Sequence, residues 1–266
     1  MHISISVSSK PSTMPQIMFC NELEQCFDML ARQGFDGVDL FFPNPREMDA
    51  REVRQWLDRA GLSVTMLAAQ GDLMDDGLFL NNSVQLPELL ERSRYHLEQC
   101  AELGAMPNIG FLRGRHEGRA DSLRHMADGL AAYAALAADM GVKVLLEPIC
   151  RYEIDSIHTA AQALELCRQA GSPGNVSLLL DLFHMNMEEP SLCGAIAASR
   201  GHIGHVHFVD NTRAVPGRGC LPLQDIVSCL RQGGYEGYLG IEAIPGPDPA
   251  AEARDGLDFT RLLLRA

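Results

Sequence analysis

The chain lacks the features that would place it on a membrane, on nucleic acid or outside the cell. Its net charge is −13, from 22 basic and 35 acidic side chains, and so acidic a protein repels phosphate backbones and anionic lipids. No apolar run approaches the about 18 residues that a membrane-spanning helix needs. The start, MHISISVSS, has no basic segment followed by an apolar one. We therefore expect a cytoplasmic protein with no nucleic-acid or membrane partner.

Two further absences concern cysteine pairs and glycine-rich turns. The eight cysteines include no CxxC pair, and a chain of 266 residues does not need disulfides to hold its core. We therefore predict that all eight are reduced. After the first predicted strand the segment reads SSKPSTMPQ, without a GxGxxG turn, which argues against an open, doubly wound sheet that binds a dinucleotide.

The chain does contain a regular alternation of short apolar runs and amphipathic helical segments, most of which close at a glycine. Strands are predicted at residues 2–7, 37–42, 63–69, 106–111, 142–146, 176–180, 203–207 and 238–241. Helices are predicted at residues 21–34, 49–61, 86–104, 121–141, 159–171, 191–199, 223–233 and 249–265. Eight such units at this length predict an α/β fold, a single (β/α)8 TIM barrel over residues 1–266, with the active site at the C-terminal ends of the strands.

The last four predicted strands each lead to a side chain that can bind a metal ion. Glu147 follows the run VKVLL, Asp181 ends VSLLLD, His207 ends IGHVH and Glu242 ends YLGIE. A charge at the end of a buried strand is costly unless a cation, a metal ion or a substrate compensates it. A lone strand-end carboxylate is usually capped or solvated, but four ligand-type residues on consecutive strands predict a shared metal site. The donors suit Mn²⁺, our first expectation, with Mg²⁺, Co²⁺ and Zn²⁺ as alternatives.

Three other segments are interpreted structurally. The polar stretch that contains Arg113, Arg115, His116 and Arg119 is expected to be a solvated loop. His205 is expected to be structural, with its side chain directed at the helix layer. The helix at 121–141 is apolar almost all round near its centre, which predicts packing on two sides. We therefore expect a homodimer or a homotetramer.

Four segments, EPICRYE, DLFHMNMEE, HVHFVDNTRAVPGRG and GYLGIEA, together resemble the sugar isomerases and epimerases with xylose-isomerase-like barrels. The strongest likeness is to the ketose 3-epimerases of the tagatose and psicose type, and hydroxypyruvate isomerases and inosose dehydratases are relatives. The likeness covers residues 142–243, whereas the first half is similar only in layout. One departure is Cys150, where these epimerases most often have asparagine. His207 favours the epimerases, because hydroxypyruvate isomerases tend to have glutamine there.

The resemblance implies roles for seven residues. One divalent ion would be held by Glu147, Asp181, His207 and Glu242, and the carbonyl end and hydroxyls of a sugar or keto-polyol would be bound by Glu153, His184 and Arg213. The proton beside a carbonyl is too weak an acid for a carboxylate in water, but a metal ion on the carbonyl oxygen would stabilise the enediolate. Glu147 and Glu242 would then act as catalytic base and acid from two sides.

The expected function is a divalent-metal-dependent isomerase or epimerase of a small keto-sugar or related polyol. Two acting glutamates give epimerisation, one gives aldose–ketose isomerisation, and loss of a hydroxyl gives a dehydratase. Hydroxypyruvate isomerase and inosose dehydratase therefore stay open as alternatives. A DNA-repair endonuclease of the endonuclease IV type shares the barrel, but it needs more metal ions and more histidines on the early strands, where this chain offers Asp39 and little else. A barrel that only binds sugar or metal is the last alternative.

Overall fold

The computed structural model describes residues 1–9, 15–20, 22–42, 44–68 and 70–266. Its strands are β1 (His2–Ser8), β2 (Phe19–Cys20), β3 (Gly37–Phe41), β4 (Ser63–Ala68), β5 (Met106–Pro107), β6 (Val144–Leu146), β7 (Val176–Asp181), β8 (Ile203–His207) and β9 (Tyr238–Ile241). Its helices are α1 (Leu23–Gln33), α2 (Ala50–Ala60), α3 (Gly71–Asp75), α4 (Leu86–Leu103), α5 (Ser122–Asp139), α6 (Ala160–Gln169), α7 (Leu182–Glu188), α8 (Leu192–Ala198), α9 (Leu223–Gln232) and α10 (Pro249–Arg265).

Eight parallel strands form a nearly closed barrel in the order β5-β4-β3-β1-β9-β8-β7-β6, and β2 pairs with β1 outside this path. The two ends of this path meet between β5 and β6. There Asn108 forms an isolated bridge with Leu145, and the amide of Ile109 donates to the carbonyl of Leu145 at 2.9 Å. The predicted (β/α)8 barrel is therefore confirmed.

Capping signals set the ends of several helices around the barrel. α1, α2 and α4 each end at a glycine in the left-handed conformation, a geometry that costs glycine little. α6 begins at a capping box, in which Thr159 accepts from the amide of Gln162 and the Gln162 side chain accepts from the amide of Thr159. Because these signals are local, the sequence predicts these helix ends closely.

The apolar side chains form two layers, as expected when alternate residues of each strand face inward and outward. The larger cluster packs between the strands and the surrounding helices. The smaller cluster consists of Ile17, Phe41, Met66, Leu145 and Leu179. Four of these five residues lie on barrel strands, so we assign them to the barrel interior.

Several predicted elements differ from the structure. β5 ends at Pro107, which has no backbone N–H to continue the hydrogen bonds of the sheet. The chain then forms a short 3-10 helix at Phe111–Arg113. β6 begins at Val144, two residues later than predicted. α3 and α7 were not predicted, because five and seven residues are too few to show a helical period. The predicted helix start at residue 21 and strand end at residue 69 lie outside the described residues.

The prediction that every cysteine is reduced is wrong for one pair. A disulfide joins Cys193 on α8 to Cys229 on α9, with a Cα–Cα distance of 5.7 Å. The two helices pack against each other, a proximity that a separation of 36 residues in sequence does not reveal. The other six cysteines are free. Among the helices of the described ranges, none is both long and apolar enough to cross a membrane.

Candidate active site

The four side chains predicted from the strand ends come together at one end of the barrel. Glu147 follows β6, Asp181 ends β7, His207 ends β8 and Glu242 follows β9, and all four are buried. The Nδ1 atom of His207 lies 3.5 Å from Glu242 Oε2, 3.7 Å from Asp181 Oδ2 and 4.0 Å from Glu147 Oε1. Three carboxylates therefore surround one imidazole nitrogen.

This cluster has the unmet polar groups expected of a metal site. Within the described part of the chain, both ring nitrogens of His207 are buried without a hydrogen-bond partner, an uncommon and costly arrangement. Ligand atoms of Glu147, Asp181 and His207 lie within 4.8 Å of one another. A divalent ion would satisfy Nδ1 of His207 and reduce the repulsion among the carboxylates. The oxygen and nitrogen donors therefore fit a hard or borderline divalent metal ion.

Arg213 brings a buried guanidinium to the same cluster. Its Nη2 donates to Asp181 Oδ2 at 2.8 Å and also to Glu242 Oε2, and its Nη1 lies 3.5 Å from Glu153 Oε1. The guanidinium also lies over the ring of Phe183, 4.7 Å from the ring centroid. The backbone of Arg213 has φ +60°, a conformation that non-glycine residues adopt mainly where the surroundings enforce it. Burial lowers the pKa of Arg213, but Asp181 and Glu242 outweigh it and raise the pKa, so the side chain stays charged.

His184 lies in α7, three residues after Asp181. Its Nε2 is 3.7 Å from Asp181 Oδ2 and 3.9 Å from Glu147 Oε1, and its Nδ1 is 4.0 Å from Glu153 Oε1. Burial lowers the pKa of His184, but Asp181, Cys150 and Glu147 outweigh it and raise the pKa to about 9. The structure thus brings all three predicted substrate residues next to the cluster: Glu153, His184 and Arg213.

In the metal-free cluster the pKa values of the ionisable side chains shift in different directions. Burial raises the pKa of Asp181, but Arg213 and the neighbouring histidines outweigh it and hold that pKa well below its usual range. Burial raises the pKa of Glu242, and this effect together with the neighbouring carboxylates exceeds the lowering by His207 and Arg213. Burial lowers the pKa of His207, but Glu242 and Asp181 raise it to about 10. When no ion is bound, these shifts favour a proton on His207 and on Glu242 and an ionised Asp181.

Asp39 on β3 supports the cluster from inside the barrel, a role that no sequence pattern predicts. Its Oδ2 lies 3.9 Å from His207 Nε2 and 3.2 Å from His205 Nε2. The hydroxyls of Ser4 and Thr65 donate to its Oδ1. The prediction that His205 faces the helix layer is wrong, because residues two apart on a strand point to the same side.

Gly240 on β9 makes room for the contact between Asp39 and His205. A Cβ atom at Gly240 would lie 2.2 Å from Asp39 Oδ2 and 2.8 Å from His205 Nε2. Any other residue would therefore displace this pair. The glycine of the motif GYLGIEA thus has a packing reason that becomes visible only in the fold.

Glu147 is held by two residues that follow β5. Asn108 Nδ2 donates to Glu147 Oε2 at 2.6 Å. Arg113 is completely buried and donates to four backbone carbonyls, those of Gly110, Glu147, Ser156 and Ile157. The predicted solvated loop is therefore wrong for Arg113, although Arg115 and Arg119 are exposed as expected. No local pattern marks an arginine that pairs with carbonyls, because its partners are distant in sequence.

A cavity of about 480 Å³ reaches the cluster, a volume suited to a small-molecule ligand. Its polar part includes Glu147, Glu153, His184, Arg213 and Glu242. Its apolar part comes from the first half of the chain and includes Phe41, Phe42, Met74, Phe111 and Leu112. The cavity therefore combines the charged groups of the cluster with apolar side chains from the first half of the chain.

This chain is similar to one family of barrels and to several proteins of known name. Residues 27–263 match the family described as xylose isomerase-like TIM barrel. A 3-dehydro-D-guloside 4-epimerase from Escherichia coli is 30% identical over 95% of this chain and 99% of its own. A provisionally named hydroxypyruvate isomerase from Streptomyces coelicolor is 30% identical over 84% of this chain and 86% of its own. The fold resembles a D-psicose 3-epimerase from Clostridium cellulolyticum, with a TM-score of 0.83, 21% identity and 99% of each chain covered.

Proposed function

Because the chain belongs to the xylose isomerase-like TIM barrel family, we propose that it is a divalent-metal-dependent isomerase or epimerase of a small keto-sugar. The observation that supports this most directly is the meeting of three carboxylates and His207 beside a cavity of about 480 Å³. The relatives named as a 3-dehydro-D-guloside 4-epimerase and a D-psicose 3-epimerase are consistent with such a substrate. We propose that residues 1–266 act as one domain.

In this proposal Glu147, Asp181, His207 and Glu242 hold one divalent ion, with Mn²⁺ as the first expectation. A bound ion would supply Lewis acidity at the substrate carbonyl and stabilise the negative charge that develops when a neighbouring proton leaves. Arg213, His184 and Glu153 bind the carbonyl end and the adjacent hydroxyls, because they lie next to the four ligands and reach the cavity. A charged Arg213 also offsets the negative charge of the carboxylates.

Glu147 and Glu242 are proposed to move the proton. They enter the site from β6 and β9, which are separated by two strands in the barrel, so they approach a bound substrate from different directions. One carboxylate removes the proton beside the carbonyl, and the other returns a proton on the second face. Asn108 holds Glu147 through its Oε2, which leaves Oε1 directed at the cluster. Burial keeps bulk water away from both groups.

Asp39 is proposed to orient His207. A carboxylate near Nε2 favours the tautomer with its proton on that nitrogen, so that the lone pair of Nδ1 faces the three carboxylates. Asp39 is therefore a positioning residue, since it does not line the cavity.

The deciding experiment follows hydrogen exchange in D₂O by proton NMR. With Mn²⁺ present, the protein should place deuterium on the carbon beside the carbonyl of its ketose, a chelator should stop this exchange, and added Mn²⁺, Co²⁺ or Mg²⁺ should restore it. Product formation without deuterium would contradict proton removal, and full activity after chelation would contradict the metal requirement.

Hydroxypyruvate isomerase activity is the second candidate, because one relative carries that provisional name. The same assay distinguishes the two when it is run over a panel of ketoses, hydroxypyruvate and inosose. Exchange with hydroxypyruvate alone would favour the second candidate, and loss of water from inosose would indicate a dehydratase.

A further inference from the structure

The loop after β6 brings a thiol close to two of the proposed substrate residues. Ligand atoms of Cys150, Glu153 and His184 all lie within 4.8 Å of one another. In the described residues this group is one of three with such spacing, and it alone includes sulfur. Cys150 is also the position at which the motif EPICRYE departs from the epimerases it resembles. The thiol is therefore a feature of this chain that the proposed reaction does not use.

The three side chains sit on a framework that is fixed from two directions. Cys150 and Glu153 share one turn, in which the amide of Glu153 donates to the carbonyl of Cys150 at 3.0 Å. The amide of Arg151 donates to Glu188 Oε1 at 2.7 Å, and the Arg151 guanidinium pairs with the same carboxylate. Glu188 lies on α7, the helix that carries His184. The loop and the helix are thus joined, and the three donors are arranged before any ligand binds.

The two ring nitrogens of His184 face different groups: Nε2 faces the first cluster and Nδ1 faces Glu153. Its Nε2 faces carboxylate oxygens of Asp181 and Glu147 at 3.7 and 3.9 Å, which favours the proton on Nε2. Nδ1 faces Glu153, 4.0 Å away, and a cation bound there would take the place of a proton on this nitrogen. Nδ1 is buried and has no hydrogen-bond partner among the described residues. Buried nitrogens without a hydrogen-bond partner are rare in proteins, so we expect this atom to bind a ligand.

We propose that Cys150, Glu153 and His184 form a second metal site, which takes a thiophilic divalent cation such as Zn²⁺. A sulfur, a nitrogen and an oxygen donor match the ligands that zinc prefers, whereas the first cluster offers no sulfur and suits harder ions. Binding releases two protons to solvent, one from the Cys150 thiol, which becomes a thiolate, and one from Nδ1 of His184. Glu153 and His184 line the cavity, so an ion can reach the site from it.

The second site overlaps the region where the proposed substrate binds. Glu153 Oε1 also lies 3.5 Å from Arg213 Nη1, so a bound cation competes with that ion pair. If the proposed function holds, a cation at the second site occupies two substrate residues and excludes the sugar. Zinc at concentrations that fill this site should then inhibit the enzyme even when the first site holds Mg²⁺ or Mn²⁺.

The test uses Cd²⁺, whose bond to a thiolate gives an ultraviolet charge-transfer band. The full chain is titrated with Cd²⁺ in excess Mg²⁺, and Zn²⁺ affinity is measured by competition with a chromophoric chelator. The wild type should show one thiolate-bound Cd²⁺ per chain. Cys150→Ser should lose the band and bind Zn²⁺ about 100-fold more weakly. Cys220→Ser, which removes an exposed free cysteine, is the matched control and should behave as wild type.

A second variant keeps the test decisive if Cys150→Ser folds poorly. Glu153→Gln should retain the band but bind Zn²⁺ about 10-fold more weakly, since it keeps the thiol and loses one donor. Absence of the band in the wild type, or a band that Cys150→Ser retains, would overturn the second site. Neither result touches the proposed function, because Mg²⁺-supported deuterium exchange is measured separately. Zinc inhibition is expressed relative to each variant's own rate and should be weaker in Cys150→Ser.

Discussion

The two halves of the barrel differ in where their polar side chains lie. One half consists of β1, β3, β4 and β5, and the other consists of β6, β7, β8 and β9. The second half ends its strands on ionisable side chains that meet in one cluster. The first half supplies most of the apolar wall of the cavity, together with Asp39, Asn108 and Arg113 behind the cluster. The contrast separates groups that we propose to act on substrate from groups that hold them in place.

Buried histidines follow the same division. His207 and His184 lie among carboxylates, and although burial lowers their pKa values, those carboxylates raise them to about 10 and about 9. His96 on α4 is equally buried, and burial lowers its pKa to about 4 against the raising effect of its contact with the Leu67 carbonyl. Burial alone therefore neutralises a histidine, whereas burial beside carboxylates keeps it charged.

The largest expected effect comes from the glutamates of the second half. Glu147→Gln and Glu242→Gln should each lower the rate of deuterium exchange by about 1,000-fold, because each removes a proposed proton-transfer group and a ligand of the proposed metal site. Proton NMR in D₂O with saturating Mn²⁺ measures this. Glu236→Gln, an exposed residue of the same half, is the control and should retain the wild-type rate. An active Glu242→Gln variant would remove Glu242 from the mechanism.

Arg113 tests whether the first half is needed to build the site. Arg113→Met should lower the free energy of unfolding by about 3 kcal/mol or more, because four buried carbonyls lose their donor. Urea unfolding followed by circular dichroism measures the change. Arg119→Met, at an exposed position, should change it by less than about 0.5 kcal/mol. Equal stability of the two variants would show that Arg113 is dispensable.

His96 should make the stability depend on pH. Its folded pKa of about 4 lies below the usual 6.5, so between these values the unfolded chain binds a proton that the folded chain does not. The contribution of His96 to the free energy of unfolding is therefore complete above pH about 6.5. It is lost as the pH falls toward 4, and the loss is at most about 3 kcal/mol.

Urea unfolding at a series of pH values, with a chelator present throughout, checks this expectation for His96. The difference in unfolding free energy between wild type and His96→Gln should shrink as the pH falls from 7 to 4. His202→Gln, at an exposed position, should run parallel to wild type. A constant difference between wild type and His96→Gln would mean that His96 titrates normally in the folded state.

The smallest of these effects concerns Asp39. Asp39→Asn should weaken metal binding by about 10- to 100-fold, because the replacement no longer favours a proton on Nε2 of His207. Isothermal titration of the metal-free chain measures the affinity directly, and Asp28→Asn, at an exposed position of the same half, is the control. A lower melting temperature with unchanged affinity would reduce Asp39 to a structural role.

These contrasts explain which features could be predicted from sequence. The barrel and the meeting of the four strand-end side chains follow from local patterns, since each apolar run and its last polar residue are contiguous in the chain. Asp39 and Arg113 could not be assigned in this way, because Asp39 contacts His205 across 166 residues and Arg113 contacts Ile157 across 44. The disulfide between Cys193 and Cys229 likewise depends on the packing of two helices.

The junction between β5 and β6 has a consequence for how the barrel opens. β1 and β3 are paired over five residues, whereas in the described chain β5 and β6 are joined by a single bridge and one main-chain hydrogen bond from Ile109. When the barrel fluctuates, β5 and β6 should therefore separate before the other neighbouring strands do. The amide hydrogen of Ile109, which bonds across the junction to Leu145 of β6 (Val144–Leu146), should exchange with solvent sooner than those of β1. Glu147 follows directly on this segment, so the first movement of an unfolding barrel would reach the site before it reached most of the core.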